Sequence, residues 1–247
     1  MMDYPYLYET HLHTRQSSAC AWNTGYEMAK ACHEAGYAGI IVTDHNWGGN
    51  TAVDRSLPWE QWVDVFCQGY EDAKRYADEH DDFTVFFGYE AGFRGTEFLI
   101  YGITPEWMKA HPEIRTESIE EHHRLVREGG GMVIHAHPFR EEWYIPEVRL
   151  FPELVDGVEG INATHSNHRS TAHNKKVYDD RAVAYGNEHS LPLTAGSDIH
   201  AVKLFGGGMA FRRRLTSIED FCRAVRSGED YLLTNGEDHF DSKGQKI

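Results

Sequence analysis

Apolar positions along this chain fall into short, strand-length runs separated by stretches with helical spacing. Residues 6–10 read as a first strand and residues 24–34 as a helix that stops at Gly36. A second strand over 38–43 runs into Asp44-His45, and 46–57, with Gly48-Gly49, reads as a loop above that strand end. Within 58–80, Trp59, Trp62, Phe66 and Tyr70 recur at helical spacing. They predict one long helix, with Pro58 at its start and the aromatics in the core. A third strand over 83–89 delivers Glu90, and 98–101 forms an antiparallel excursion from it. A helix over 117–128 ends at Gly129-Gly130-Gly131, and a strand over 132–137 stops at Pro138. Strand 157–162 leads into a His- and Asn-rich loop, and helix 172–188 precedes strand 191–195. A last helix over 217–227 comes before a polar tail, from Glu237 onward, expected to fray.

Strands alternating with helices predict right-handed βαβ units around a largely parallel sheet. No internal repeat or low-complexity linker interrupts the order. The chemistry-bearing residues all follow the strands: His11-Leu-His13, Asp44-His45, Glu90, His135-Ala-His137 and Asp198-Ile-His200. Side chains at i and i+2 of a strand point the same way, so each HxH or DxH is a two-pronged ligand arm. Arms spread from residue 11 to residue 200 converge only if the fold gathers its strand ends around one point, as a barrel does. An open doubly wound sheet would instead put its ligands in one crevice, and six contributing strand ends, counting the His-rich loop after strand 157–162, favour the barrel.

Composition narrows the class further. With 247 residues, 40% apolar and 26% charged, the chain has the profile of a soluble globular protein. Its longest apolar runs are strand-sized, far short of the roughly 20 residues that span a bilayer. The first residues lack the basic and apolar segments of a leader, so a cytoplasmic address and no membrane partner are expected. Four cysteines, at 20, 32, 67 and 222, form no CxxC pair, which suits a reducing compartment. A formal net charge of −15 argues against gripping duplex nucleic acid. Bound divalent ions would reverse that field locally and attract an anion. Oligomeric state leaves no readable signal.

The arms themselves point to a multinuclear metal site. Neutral imidazoles suit Zn, Fe or Mn, and carboxylates can bridge two ions. Glu9 stands at period two before His11 and His13 and faces the same interior. Glu90 leaves an apolar strand with nothing but a cation to neutralise it, which marks it as a bridge. His137 is fixed at the mouth by Pro138, whereas His135, one layer deeper, is either a supporting or a packing residue. Arg15, Arg140 and Lys203 each lie just beyond a ligand motif, where they would pair with phosphate oxygens of a substrate. The run Arg212-Arg213-Arg214 reads as a solvated or structural patch. No phosphate-cradling GxxxxGK[ST] or GxGxxG loop is present.

His11-Leu-His13-Thr14, Thr43-Asp44-His45-Asn46, Gly88-Tyr89-Glu90, Ala136-His137-Pro138 and Gly196-Ser197-Asp198-Ile199-His200-Ala201 resemble, in order, the motifs of the PHP (polymerase and histidinol phosphatase) superfamily. The resemblance implies a distorted, TIM-like (β/α)7 barrel over residues 1–236, with 237–247 as a tail. It further implies two or three divalent ions and hydrolysis of phosphoesters. Carried over by motif, His11, His13, Glu90 and Asp198 would bind one ion, with Glu90 bridging to a second held by His137. His45 and His200 would belong to a third site, and His165 would complete the set, with His168 and His173 as neighbouring alternatives. Two positions depart from the pattern. Ala19 stands where relatives carry a ligand, flanked by Ser18 and Cys20, and Glu97 stands where similar proteins often have His.

The expected activity is hydrolysis of a small phosphorylated metabolite, nucleotide or short oligonucleotide. Arg140 would hold the phosphoryl group, and His45 or His200 would protonate the leaving oxygen. Competing readings are a regulatory metal-binding module that has kept the fold, and metal-assisted hydrolysis of a non-phosphate bond. Loops 47–59 and 139–151 carry no specificity motif, and their aromatics either stack on a base or close the mouth.

Overall fold

The computed structural model describes residues 3–247. It begins with β1 (Tyr6–Leu12), α1 (Gly25–Glu34) and β2 (Gly39–Val42). The start of α1 is set by a capping box in which the Thr24 hydroxyl accepts from Glu27 N and the Glu27 carboxylate accepts from Thr24 N. The long helix expected over 58–80 is two pieces, α2 (Trp59–Phe66) and α3 (Gln68–Ala77), joined at Cys67 with φ −77° and ψ −5°. Its aromatics are core as expected: Trp62 stacks on Phe66 at 4.8 Å, and Tyr70 meets Phe87 edge-on at 5.3 Å.

β3 (Thr84–Phe93) outruns its expected end, so Glu90 lies inside the strand rather than beyond it. It turns directly into β4 (Thr96–Tyr101) through Arg94 and Gly95, at φ 52° and 87°. Two successive left-handed residues match the twist of a tight hairpin. There follow α4 (Pro105–Ala110), a 3₁₀ turn (Pro112–Arg115), α5 (Ile119–Glu128), β5 (Met132–His135) and β6 (Gly157–Asn162). Then come α6 (Ala163–Ser166), α7 (Val177–Glu188), β7 (Leu193–Gly196), β8 (Gly207–Phe211), α8 (Ile218–Ser227), β9 (Tyr231–Asn235) and β10 (His239–Phe240).

All ten strands form one sheet in the order β10-β9-β8-β1-β2-β3-β4-β5-β6-β7. β1, β2, β3, β5, β6, β7 and β9 share one direction, and β4, β8 and β10 oppose it. The architecture is therefore a mixed α/β sheet, not a regular run of seven βα repeats: a hairpin replaces one crossover and a β8–β9–β10 ribbon is added. The sheet curls until its parallel ends meet, where Leu12 bridges Ile199, with His13 N donating to Ile199 O at 2.9 Å. Tyr101 crosses the interior to donate its hydroxyl to Thr10 O at 2.8 Å. This closure brings the ends of β1 and β7, at Leu12 and Gly196, into contact.

The tail is docked rather than frayed. His239 and Phe240 pair with Thr234 and Leu233, Phe240 is buried, and Ile247 N returns to His239 O at 3.0 Å. An apolar side chain with a strand edge beside it outweighs the polar composition around it. Among the described residues no helix is long and apolar enough to cross a membrane.

Candidate metal centre

At the closed end of the sheet the strand-end arms converge. Glu90, fully buried, is at the middle. Its Oε1 lies 3.4 Å from His11 Nε2 and 3.0 Å from His137 Nε2, and its Oε2 lies 2.7 Å from His45 Nδ1 and 3.6 Å from His13 Nε2. Asp198 Oδ1 lies 3.4 Å from His11 Nε2 and 3.2 Å from His13 Nε2. His13 is flanked by the rings of His45 at 4.3 Å and His200 at 4.4 Å. Glu97, flagged in sequence as a departure, reaches the same cluster: its carboxylate is 3.8 Å from His45 Nδ1 and 3.7 Å from His137 Nε2.

Strand geometry alone does not produce this convergence. His137 and Asp198 adopt φ of 28° and 53°, a region costly for residues with a Cβ and held only where the surroundings over-determine it. In both cases the backbone leaves its strand and turns the side chain into the mouth.

A layer of buried acceptors behind the cluster fixes its orientation. Glu159 Oε1 accepts from His11 Nδ1 at 2.8 Å, while its Oε2 accepts from His137 N at 3.0 Å and Asn162 Nδ2 at 3.1 Å. The proton on His11 Nδ1 leaves Nε2 free to act as a ligand. Asp44 is not itself in the cluster; it accepts from Thr14 N, Thr14 Oγ1 and Ser18 Oγ, each at 2.6 Å, and so pins the loop after His13. Glu9, expected to share the interior with His11 and His13, is buried but accepts from His11 N and Ser197 N. Burial pushes its carboxyl up to about 7.

Glu159 was not found by sequence reasoning. Its signal was a lone carboxylate in the otherwise uncharged β6 strand, which has the sequence GVEGIN. A charge in a fully buried strand requires a partner.

Burial opposes charge throughout, yet the groups sort cleanly. Burial pushes Glu90 up, but His45 and His11 more than reverse this and hold it well below the usual carboxylate range. Asp198 is likewise held low, by His11 and Arg140 against burial. Burial lowers His11, but Asp198, Glu159 and Glu90 raise it well above its ordinary value, whereas burial with His45 and His200 nearby keeps His13 low. A cation that displaces the His11 proton leaves these carboxylates compensated.

The donor set fits divalent ions on a direct observation. His11 Nε2, His45 Nδ1 and Glu90 Oε2 are buried without a hydrogen-bond partner. Such atoms are costly unless something coordinates them. Nitrogen or oxygen atoms of His11, His13 and Glu90, of His11, His137 and Asp198, of His45, Glu90 and Glu97, and of His13, His45 and His200 each come within 4.8 Å of one another.

Other expected residues are arranged differently. His165 Nδ1 faces Asp179 Oδ1 at 2.8 Å, and its Nε2 accepts from Arg140 Nε at 3.0 Å, so it stands behind the cluster and orients Arg140. Arg140 is buried and also donates to Asp198 Oδ2 at 2.6 Å. Arg15 and Lys203 are exposed and do not line the cavity over the cluster. His168 pairs with Glu237, and His173 with Glu142 at 2.7 Å. His135 packs on Phe98 at 4.9 Å, away from the cluster. Cys20 lines the cavity with His200 and His45; burial raises its thiol, but these two imidazoles bring it down to about 7. Arg213 pairs with Asp220 and Glu229, as a structural patch would.

Residues 178–229, which run from α7 through Asp198 and His200 to α8, match the PHP-associated (PHP_C) family model. No curated protein matches the sequence. Among solved structures, the fold is similar to a two-domain protein of Bacteroides vulgatus containing a predicted PHP-like metal-dependent phosphoesterase. The TM-score is 0.65 at 14% identity, over 94% of this chain and 65% of that one. A candidate metal-dependent phosphoesterase of Bifidobacterium adolescentis aligns with a TM-score of 0.52 at 14% identity, over 88% of this chain and 94% of that one. The lesion-specific endonuclease of Pyrococcus furiosus gives 0.57 at 14% identity, over 92% and 57%. The chain thus spans just under two thirds of the Bacteroides protein. The family-model match covers residues 178–229, and at 14% identity the solved structures share the fold.

Proposed function

We propose that this chain is a metal-dependent phosphoesterase acting on a small phosphorylated substrate at a di- or trinuclear site. The observation that carries the reading is the convergence of buried His11 Nε2, His45 Nδ1 and the Glu90 carboxylate on one another, where His45 and Glu90 line a cavity of about 560 Å³. In this reading His11, His13, Glu90 and Asp198 would hold one ion, and His137 and Glu97, with Glu90, would hold a second. His45 and His200, with Cys20 beside them, would hold a third. Bound there, divalent ions supply Lewis acidity and a nucleophile from water at neutral pH.

The remaining work falls to the protein. Arg140, kept in line by Asp198 and His165, presents a buried guanidinium to a phosphoryl oxygen. With the third site empty, His200, part-exposed at the rim, would give a proton to the leaving oxygen; burial lowers its proton affinity, but Cys20 and Asp198 raise it by more. Glu159 and Asp44 keep imidazoles and loop in register and touch no substrate.

The test is metal content per chain by elemental analysis, together with phosphate release from phosphomonoesters and phosphodiesters with added Mn²⁺, Zn²⁺ or Fe²⁺. His11→Ala and Asp198→Ala are expected to lose metal and turnover while retaining the native circular dichroism spectrum. Full turnover in either variant would remove the assignment, and bound metal with no turnover on any ester would favour a regulatory module.

A further inference from the structure

Trp143 is 93% exposed, yet it does not face away from the chemistry. It lines the same cavity whose floor carries Glu90, His137 and Asp198. Tyr144 stands beside it, edge to face at 5.6 Å and 88°, and lines that cavity too. A single exposed apolar side chain needs no explanation on most surfaces. Here the backbone under it is tied down on several sides. Glu141 O accepts from Tyr178 Oη at 2.9 Å, and Glu141 Oε1 pairs with Arg181 at 2.5 Å. Glu142 Oε1 bonds His173 Nδ1 at 2.7 Å, and Glu142 O accepts from Ile145 N at 2.9 Å. An anchored loop is therefore presenting an indole whose one aromatic neighbour is Tyr144, three residues after the Arg140 that points into the floor.

The cavity itself has room to spare. Its volume of about 560 Å³ is that of a site for a whole small molecule, more than a phosphoryl group on the floor would fill. The space above the floor is bounded on one side by an aromatic wall.

We propose that Trp143 is the specificity platform of this site, stacking on a planar ring in the organic part of the ester, so that nucleotide-like monoesters are preferred over sugar phosphates that lack a base. This rests on the phosphoesterase reading for the floor but not for the wall. Base–aromatic stacking contributes about 1–3 kcal/mol and tolerates different bases because each has a π face. That corresponds to a preference of roughly 5- to 150-fold.

The probes are adenosine and uridine 5′-monophosphates against ribose 5-phosphate, which has the same phosphate and sugar but no base. Affinities are measured by calorimetry on the metal-stripped full chain, with indole fluorescence followed in parallel. Both nucleotides are expected to bind at least about fivefold tighter than ribose 5-phosphate and to quench fluorescence. Trp143→Ala should abolish the difference and the quench, leaving ribose 5-phosphate unchanged, and Trp143→Phe should restore most of the difference. Equal affinity for probes with and without a base, or no binding of either nucleotide, overturns the proposal, as does a Trp143→Ala variant that weakens all three probes alike. Ring preference without phosphate release after metal is added would sink the phosphoesterase reading alone. Phosphate release without ring preference would sink the platform alone.

Discussion

Replacing Glu159 by glutamine keeps the shape of the side chain but removes its charge and turns one of its two acceptor oxygens into a donor. The carboxylate takes three donors: His11 Nδ1, His137 N and Asn162 Nδ2. Glutamine has one oxygen, which can stay with His137 N and Asn162 Nδ2, and its NH₂ then faces His11 Nδ1. His11 must switch tautomer to accept from it, moving its proton to Nε2, the atom that faces Glu90 and Asp198. The ligand atom is thereby blocked. Losing such a supporting contact weakens metal affinity by about 10- to 100-fold, or about 1.4–2.7 kcal/mol. The same range is expected from the loss of one charge-assisted hydrogen bond, about 1.5–3 kcal/mol. The assay is Zn²⁺ titration against a chromophoric chelator at pH 7.5, with thermal unfolding in EDTA as the control for folding. Metal affinity within about twofold of the parent chain, in a variant of unchanged fold, would refute the argument that Glu159 sets the His11 tautomer.

Arg140→Lys keeps the charge but cannot donate to both Asp198 and His165, so it should raise the inhibition constant of inorganic phosphate by about tenfold while bound metal is retained; loss of metal instead would mean Arg140 supports the ligands rather than the substrate. His122 and His123 are buried on α5, and burial lowers them to about 3 and about 4. The unfolded chain therefore binds more protons below about pH 6.5, and stability is complete above that pH and falls on acidification toward 4, by up to about 1.4 kcal/mol per pH unit for each residue. Urea midpoints across pH 4–7 check this, and a flat profile in His122→Gln/His123→Gln together with a sloping one in the parent chain is the expected contrast. Phe240→Ala should cost about 3 kcal/mol, since its ring is buried where β10 caps the sheet, and an unchanged denaturation midpoint would mean the tail contributes nothing.

Much of the architecture was legible before folding because it is written in local terms. The HxH and DxH arms occupy strand ends, and the helices read over 24–34 and 217–227 are present, with Thr24 and Ser217 as their caps rather than their first turns. The aromatic stripe of α2 and α3 was likewise readable as core. The misjudged elements depended on distant partners. The break at Cys67 divides a helix whose periodicity is continuous, and the docking of Phe240 depends on a β9 edge that pattern reading did not anticipate. Gly69 illustrates the same limit: a Cβ there would meet Thr14 Oγ1 at 1.9 Å, a closeness set by the packing of α3 on the loop after β1. Nothing in the neighbouring residues announces it.

The identity of the ligand types, and their grouping as strand-end arms, belonged to the sequence alone, because two-residue periodicity is a local property of the backbone. Which nitrogen of each imidazole faces the cluster belonged to the tertiary structure, because it is set by acceptors such as Glu159, 148 residues from His11. So did the turn of His165 toward Arg140 and the inclusion of Glu97. These follow from closure of the curled sheet, which sets groups from opposite ends of the chain within hydrogen-bonding distance, and no local pattern encodes a contact of that range.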